Sequence, residues 1–436
     1  MSEDMHWSNN LEEFSHFPAI ERIRSAVQDF SFVSGSCKAS PESCMLFYTT
    51  GQADSAAETI NLANTSDAQL ASLKRVCEAA SFGVGSQNVL DDTYRKALKL
   101  DASRFATSFD LCNTDILQRI QSHLVDTDTI LRRHIRAERY KLNVYEEGAF
   151  FKAHRDTPRA ENMFASLVVV FPVTHKGGTL VLSEKDHGWK FDAPQLLEKS
   201  TPSEPEIAFV AFYSDTTHQV LPVTTGNRVT LTYNLYFEYA AEASLLPPIA
   251  SVPEPNKYSV VKEALQEILA EPKLFEEGFE DTVLCFGLAH RYPLVRTEDR
   301  PNSGYKVSEL KKFLKGSDAL IYRACKELGL ITYVRVMYAQ DEGDGPEAFL
   351  GTEFLNHNLE EVEGGLPTLC DEVGMEPLYN QRRDPDAAGL IWVTPGLGQY
   401  GIETVFVAYG NEPSLTSTYG EVCYHCQAQG VTVALM

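Results

Sequence analysis

The spacing of apolar residues divides the chain into three parts. Across residues 18–30 they recur at helical intervals. Ser66-Asp67-Ala68-Gln69 reads as a capping box, and it opens a run through Leu70, Leu73 and Val76 that stops before Gly83. Residues 89–98 and 114–124 repeat the 3.6-residue period. Residues 1–134 are therefore expected to form a helical region that packs on the core. Near Arg139 the pattern changes to short runs rich in Val, Phe, Tyr, Leu and Thr, punctuated by Gly and Pro. Eight strands are expected, at 139–146, 150–155, 164–173, 179–184, 188–192, 206–213, 217–223 and 228–239. With no long helix between them, they predict an antiparallel sandwich or jelly-roll barrel over residues 135–240.

Four prolines between Pro247 and Pro255 mark residues 241–256 as a linker. Residues 257–436 mix helical patterns (257–269, 317–328) with strand patterns (282–288, 331–338, 390–393, 404–408, 431–435). The acidic, Gly- and Pro-containing stretch 341–386 reads as a long loop. This third part is expected to be a mixed α+β region, a cap on the first barrel or a degenerate second barrel. The fold class of the whole is α+β.

Charge narrows the partners. The 436 residues include 38 basic and 61 acidic side chains, a net charge of −23. Proteins that grip nucleic acid need a basic footprint, so neither nucleic acid nor an anionic membrane is expected as a partner. Within 139–239 the balance is only −2, from ten basic and twelve acidic residues, so the acidity lies in the flanks. A macromolecule docking there is expected to be neutral or basic. The first ten residues hold no apolar run, and apolar stretches such as residues 167–172 are far too short for a bilayer. Nine cysteines, an odd number, read as reduced thiols. The expected location is intracellular, cytoplasmic or nuclear.

The chemistry concentrates in Tyr145-Glu-Glu-Gly-Ala-Phe-Phe-Lys-Ala-His154-Arg-Asp156. On an extended strand, residues two apart share a face, so the imidazole of His154 and the carboxylate of Asp156 can converge on one ion. His218, at the start of a late strand, is the candidate third ligand. Two histidines and one carboxylate with an open face are the ligand set of non-haem Fe(II) oxygenases, and zinc with water fits the same donors. Arg228 follows ten residues after His218. Pro222 and Gly226 intervene, so strand alternation alone does not place its side chain. If inward, its planar fork suits a carboxylate. Thr230 can add a hydroxyl and Tyr145 a phenol. A lone His-x-Asp is expected about 0.6 times by chance in this composition. With Tyr145, Gly148 and Phe151 at their offsets, the expectation falls to roughly 10⁻⁴.

Other features carry less. Asp215 is placed to orient His218 or to cap a turn. Arg159 is a substrate contact or a surface ion pair. Cys423-Tyr-His-Cys426 lacks a second pair at zinc-ribbon spacing. His134, His175, His187 and His290 lack partners at ligand spacing. Gly177-Gly178 reads as a hairpin turn.

Residues 139–239 resemble the catalytic domain of Fe(II)/2-oxoglutarate dioxygenases of the prolyl 4-hydroxylase-like branch. That family's Tyr-x2-Gly-x2-aromatic-x2-His-x-Asp pattern fits Tyr145, Gly148, Phe151, His154 and Asp156. Its later pattern fits His218, Pro222, Val223, Gly226, Asn227 and Arg228, with Arg228 where many prolyl hydroxylases have Lys. The wider chain is similar to fungal members of the group in blocks 154–159, 177–180 and 230–235. The resemblance implies a double-stranded β-helix with His154, Asp156 and His218 as catalytic iron ligands. It implies Arg228, Tyr145 and Thr230 as contacts of 2-oxoglutarate. O₂ would be the oxidant, with ascorbate in support. The implied reaction hydroxylates a C–H bond while 2-oxoglutarate is decarboxylated to succinate and CO₂. The implied substrate is a prolyl residue in a protein or peptide. A small-molecule or natural-product substrate is the alternative, and an idle interaction protein that keeps the fold is a further one.

Overall fold

The computed structural model describes residues 17–27, 32–49, 57–84, 87–125, 133–184, 187–239, 257–271, 283–295, 305–339, 348–354, 368, 371, 374–378, 390–394, 417–420 and 423–427. The chain divides into two compact units, one of residues 30–251 and 406–415, the other of residues 1–29, 252–405 and 416–436.

In the first unit two antiparallel sheets present inner faces to a shared apolar layer. The larger sheet has seven strands, in the order Phe32–Lys38, Glu206–Tyr213, Met163–Val170, Arg228–Tyr239, Arg133–Tyr145, Leu98–Asp101 and Glu78–Ala79. The smaller has five: His187–Phe191, Leu180–Glu184, Thr217–Val220, Phe150–His154 and Arg95–Lys96. Strands 163–170 and 206–213 are central and almost wholly buried, which explains their unbroken apolar sequences. Their side chains nonetheless alternate. Leu167, Val169, Phe209, Ala211 and Tyr213 pack outward, in the cluster that holds Ile116, Ile120 and Leu124 of the helix Ile116–Leu124. Val170, Ala208, Val210 and Phe212 face inward, onto Phe151, Leu180, Leu182 and Val220 of the smaller sheet.

All eight strands expected between 139 and 239 form, with one division. Residues 217–223 split into Thr217–Val220 and Val223–Gly226, because Pro222 has no amide to donate to a ladder. The helical reading of residues 1–134 holds only in part. Helix Asp67–Val76 starts at the Ser66–Gln69 capping box, with the Gln69 amide donating to Ser66 Oγ at 3.3 Å. Residues 89–98, expected as a helix, instead contain a turn at Asp91 between short strands Gln87–Val89 and Arg95–Lys96. Asp91 Oδ1 accepts the Thr93 amide at 2.8 Å, a local bond that competes with helix formation. Beyond it, strand 98–101 pairs with strand 133–145, and Leu100 joins the core. Helix Pro18–Val27 belongs to the other unit: Ala19, Ile20 and Ile23 pack with Val261, Leu265 and Val393.

The second unit is built on a six-stranded mixed sheet. Its order is Glu376–Leu378, Ala348–Gly351, Ile331–Ala339, Cys423–Gln427, Val283–Gly287 and Leu390–Thr394, the last two running parallel. Helices Lys257–Leu269 and Gly316–Glu327 share its apolar core with helix 18–27. The stretch 341–386 is not all loop, since it contributes strands 348–351, Glu353–Phe354 and 376–378. The linker 241–256 and the expected strands 404–408 and 431–435 lie outside the described residues. Cys423 and Cys426 lie on a strand, and their side chains are outside the described set. Among the described residues, no helix is long and apolar enough to cross a membrane.

Glycine sets one close approach that matters. At Gly226, φ is +76° and an added Cβ would lie 2.2 Å from the Thr174 carbonyl oxygen. Gly226→Ala is therefore expected to lower stability by about 2 kcal/mol or more, through left-handed strain plus the clash. Urea unfolding of the full chain measures it, and an unchanged midpoint would refute this account of the hairpin.

Candidate metal centre

The inner faces of the two sheets enclose a partly open pocket. On the smaller sheet, His154 ends strand 150–154 and His218 stands directly opposite it on strand 217–220. Their rings are 4.2 Å apart between centroids. Asp156 follows the strand end and is tied down by its amide, which donates to Ser214 O at 3.2 Å. One ligand atom from each of the three lies within 4.8 Å of the others, and all three residues are buried. Asp156 Oδ1 is 3.8 Å from His218 Nε2.

The ring nitrogens are sorted by backbone contacts. His154 Nδ1 lies 2.8 Å from Lys152 O, and His218 Nδ1 lies 3.0 Å from Thr216 O. A carbonyl accepts only from N–H, so Nδ1 of each ring is the donor and Nε2 is the atom left facing the cluster. Ser166 on strand 163–170 donates its hydroxyl to Asp156 Oδ2, which fixes the carboxylate. Burial, with the neighbouring His218 second, holds the His154 pKa well below its usual value, so the ring is neutral and able to ligate. Phe151 and Phe212 pack on the two imidazoles at 3.5 and 4.6 Å between centroids.

The facing wall comes from the larger sheet. Strands 133–145 and 228–239 pair Tyr145 with Arg228, Asn143 with Thr230 and Lys141 with Thr232. These six line the pocket, while the alternate residues Leu142, Val144, Val229 and Leu231 enter the outer core. Arg228 is 1% exposed, and its Nε and Nη2 have no hydrogen-bond partner among the described residues. Burial lowers its pKa, and the Tyr145 ring 5.4 Å away is its nearest aromatic face. Gly178, at φ +68°, makes the space: a Cβ there would come within 2.8 Å of Arg228 Cδ. Of the glycine pair read as a hairpin turn, Gly178 thus makes room for the Arg228 side chain.

The fold brings His154, Asp156, His218, Arg228, Tyr145 and Thr230 into one pocket. His218 is oriented by the Thr216 carbonyl. Arg159 donates to the Tyr140 hydroxyl at 2.7 Å. His175, buried, bonds the Val173 carbonyl, and His187 stacks near Trp189, both apart from the cluster. Sequence reading missed Ser166, Arg95, Tyr140, Lys141 and Asn143. Lys141 and Asn143 lie at even offsets from Tyr145 on one strand, so alternation would have found them. Arg95 comes from a segment read as helix, which hid it.

Residues 140–236 match the model of the 2OG-Fe(II) oxygenase superfamily. The match indicates a 2-oxoglutarate-dependent oxygenase over this part of the chain. Solved structures similar to the chain include a prolyl-4-hydroxylase from Pseudomonas putida (15% identity, 50% of this chain and 99% of that one, TM-score 0.28). Another is a prolyl hydroxylase from Trichoplax adhaerens in complex with a hypoxia inducible factor peptide fragment (14% identity, 53% and 94%, TM-score 0.28). A third is a 2OG-Fe(II) oxygenase family oxidoreductase from Burkholderia pseudomallei (14% identity, 56% and 100%, TM-score 0.25). No curated protein matches the chain significantly.

The pocket lysine gives a stability test. Burial first, then Lys99 and Arg95, push the Lys141 pKa down from 10.5 to about 7. Between pH 7 and 8.5 the unfolded lysine holds a proton that the folded one increasingly releases, so the unfolded chain binds more protons and stability rises with pH. The slope should approach 1.4 kcal/mol per unit at most, about the value of one full proton. Urea titrations at pH 7, 7.75 and 8.5 should show the rise in wild type and a flatter profile in Lys141→Gln.

Proposed function

We propose that the unit of residues 30–251 is a hydroxylase in which His154, Asp156 and His218 hold Fe(II) and Arg228 anchors 2-oxoglutarate. Its two facing sheets are read as the double-stranded β-helix, and the activity is assigned to residues 135–240. The observation that carries this reading is the buried, unpartnered fork of Arg228 in the same pocket as the His/Asp/His cluster. A buried cation without an anion is costly, so the pocket is built for a ligand that brings a carboxylate. The donor set fits Fe(II): two imidazoles and one carboxylate, each second atom already held.

When bound, the iron and 2-oxoglutarate would activate O₂, with ascorbate as a supporting reductant, and supply oxidising power for a C–H bond. The protein's own residues do the positioning. Lys152 O and Thr216 O fix the imidazole tautomers. Ser166 holds Asp156 so that its other oxygen faces the cluster. Arg228 would receive the far carboxylate, helped by the Tyr145 phenol and Thr230 hydroxyl on the same wall. Phe151, Phe212, Leu180 and Val220 keep the pocket dry, which strengthens each of these contacts. The motif resemblance directs hydroxylation toward a prolyl residue in a protein or peptide, with a small molecule as the alternative substrate.

Anaerobic addition of Fe(II) and 2-oxoglutarate should produce a visible metal-to-ligand charge-transfer band. His154→Ala should abolish it, and Arg228→Gln should raise the 2-oxoglutarate concentration needed at least tenfold while metal still binds. Folded wild-type protein without a band would sink the reading.

A further inference from the structure

The pocket holds more positive charge than its co-substrate needs. Arg228 stands at one end of the larger sheet's inner wall, opposite Tyr145. Lys141 lies four residues back along the same strand, a separation of roughly 14 Å between backbone positions. It is 6% exposed and lines the pocket. Arg95, 5% exposed, joins it from the neighbouring sheet. Its guanidinium lies 4.3 Å from the Phe151 ring centroid and donates to Asn143 Oδ1 at 3.2 Å and to Ser81 O at 2.7 Å. Its Nε has no partner among the described residues.

The cations that bear most on Lys141 are Lys99, Arg95 and Arg159. The carboxylate on that side, Asp101, is at the rim and lies 3.9 Å from Lys99. Four bonds of about 1.5 Å limit a five-carbon diacid to roughly 6 Å. Such a co-substrate, held at the metal and at Arg228, has no carboxylate left for the second cation group.

We propose that Lys141 and Arg95 form a second anion subsite, which takes a carboxylate of the substrate being oxidised. The inference rests on reading Arg228 as the anchor of 2-oxoglutarate. The subsite and His154 meet through Phe151, which Arg95 covers on one side and His154 stacks against. A carboxylate held there brings the adjoining C–H bonds toward the metal cluster. It also offsets the burial, and after it the repulsion from Lys99 and Arg95, that lower the Lys141 pKa. The substrate class is then an organic acid, either a free amino or carboxylic acid or an acidic side chain within a peptide.

Isothermal titration under anaerobic Fe(II) and saturating 2-oxoglutarate tests this on the full chain. The probes are N-acetyl amino acids and their C-terminal amides, together with N-acetyl-aspartyl and N-acetyl-glutamyl amides. At least one carboxylate should bind about tenfold or more tightly than its neutral partner. The preference should vanish in Lys141→Gln and in Arg95→Gln and return in Lys141→Arg, which keeps the charge. Preference for an α-carboxylate assigns a free acid, and preference for the side-chain carboxylate assigns an acidic residue. Equal binding of acids and amides, or a preference that survives both neutral variants, overturns the proposal. So does a Lys141→Gln variant that weakens 2-oxoglutarate as much as Arg228→Gln does. The charge-transfer band, read in each sample, separates the two failures. Its absence from wild type removes the proposed function, whereas a band without carboxylate preference removes only the second subsite.

Discussion

Arg228 is buried on the pocket's inner wall with two guanidinium nitrogens that meet no acceptor among the described residues. That cost organises the surrounding structure. The residue sits at the start of a strand whose partner supplies Tyr145 across the ladder, and the glycine at 178 leaves the volume its side chain fills. Gly177 and Gly226 permit the tight backbone approach next to it: a Cβ on Gly177 would meet Pro222 O at 2.5 Å. Gly178 borders Arg228 itself, while Gly177 and Gly226, also at positive φ, close the backbone approaches to Pro222 and Thr174. Gly178 trades chain entropy for the space that the buried Arg228 side chain fills, and a buried cation of this kind is costly without a counter-charge.

The opposite wall meets a different constraint. Two imidazoles and a carboxylate within 4.8 Å would repel or protonate one another if each were free to rotate. Backbone carbonyls fix both Nδ1 atoms as donors, and Ser166 occupies one oxygen of Asp156. Each remaining lone pair then points to a common volume. The sandwich supplies the rigidity, because the two histidines are register partners on adjacent strands and Ser166 extends from the sheet facing them.

Alternation and punctuation made the strands between 139 and 239 legible. His154 and Asp156 could be paired from spacing alone because an extended strand has period two. His218 and Arg228 needed family resemblance, since their meeting depends on how strands from distant sequence stack. The region before residue 134 was less legible for a physical reason. Strand 98–101 is short and gains its structure from pairing with strand 133–145, so tertiary contact overrides a helical period in residues 89–98. Helix 18–27 was recognisable, but not its destination. An amphipathic face records that something covers it without recording what, and Arg24 donating to the Val393 and Trp392 carbonyls lies more than 360 residues from its partners.

The charge distribution gains a finer grain from the structure. A net charge of −23 argues for an acidic surface, yet the described pocket gathers Arg95, Lys141 and Arg228 around one carboxylate, Asp156. An interior of that sign is expensive in a low-dielectric layer, and Lys141, drawn toward neutrality at about 7, displays the expense. Selection for stability alone would replace these cations with apolar residues of similar size, which the neighbouring Val168, Leu180 and Phe212 show the wall accommodates. Their presence is therefore best explained by anions that visit the pocket. The backbone positions of Arg228 and Lys141 lie roughly 14 Å apart on the larger sheet, and Arg95 joins Lys141 from the smaller one, a separation that favours two such anions over one.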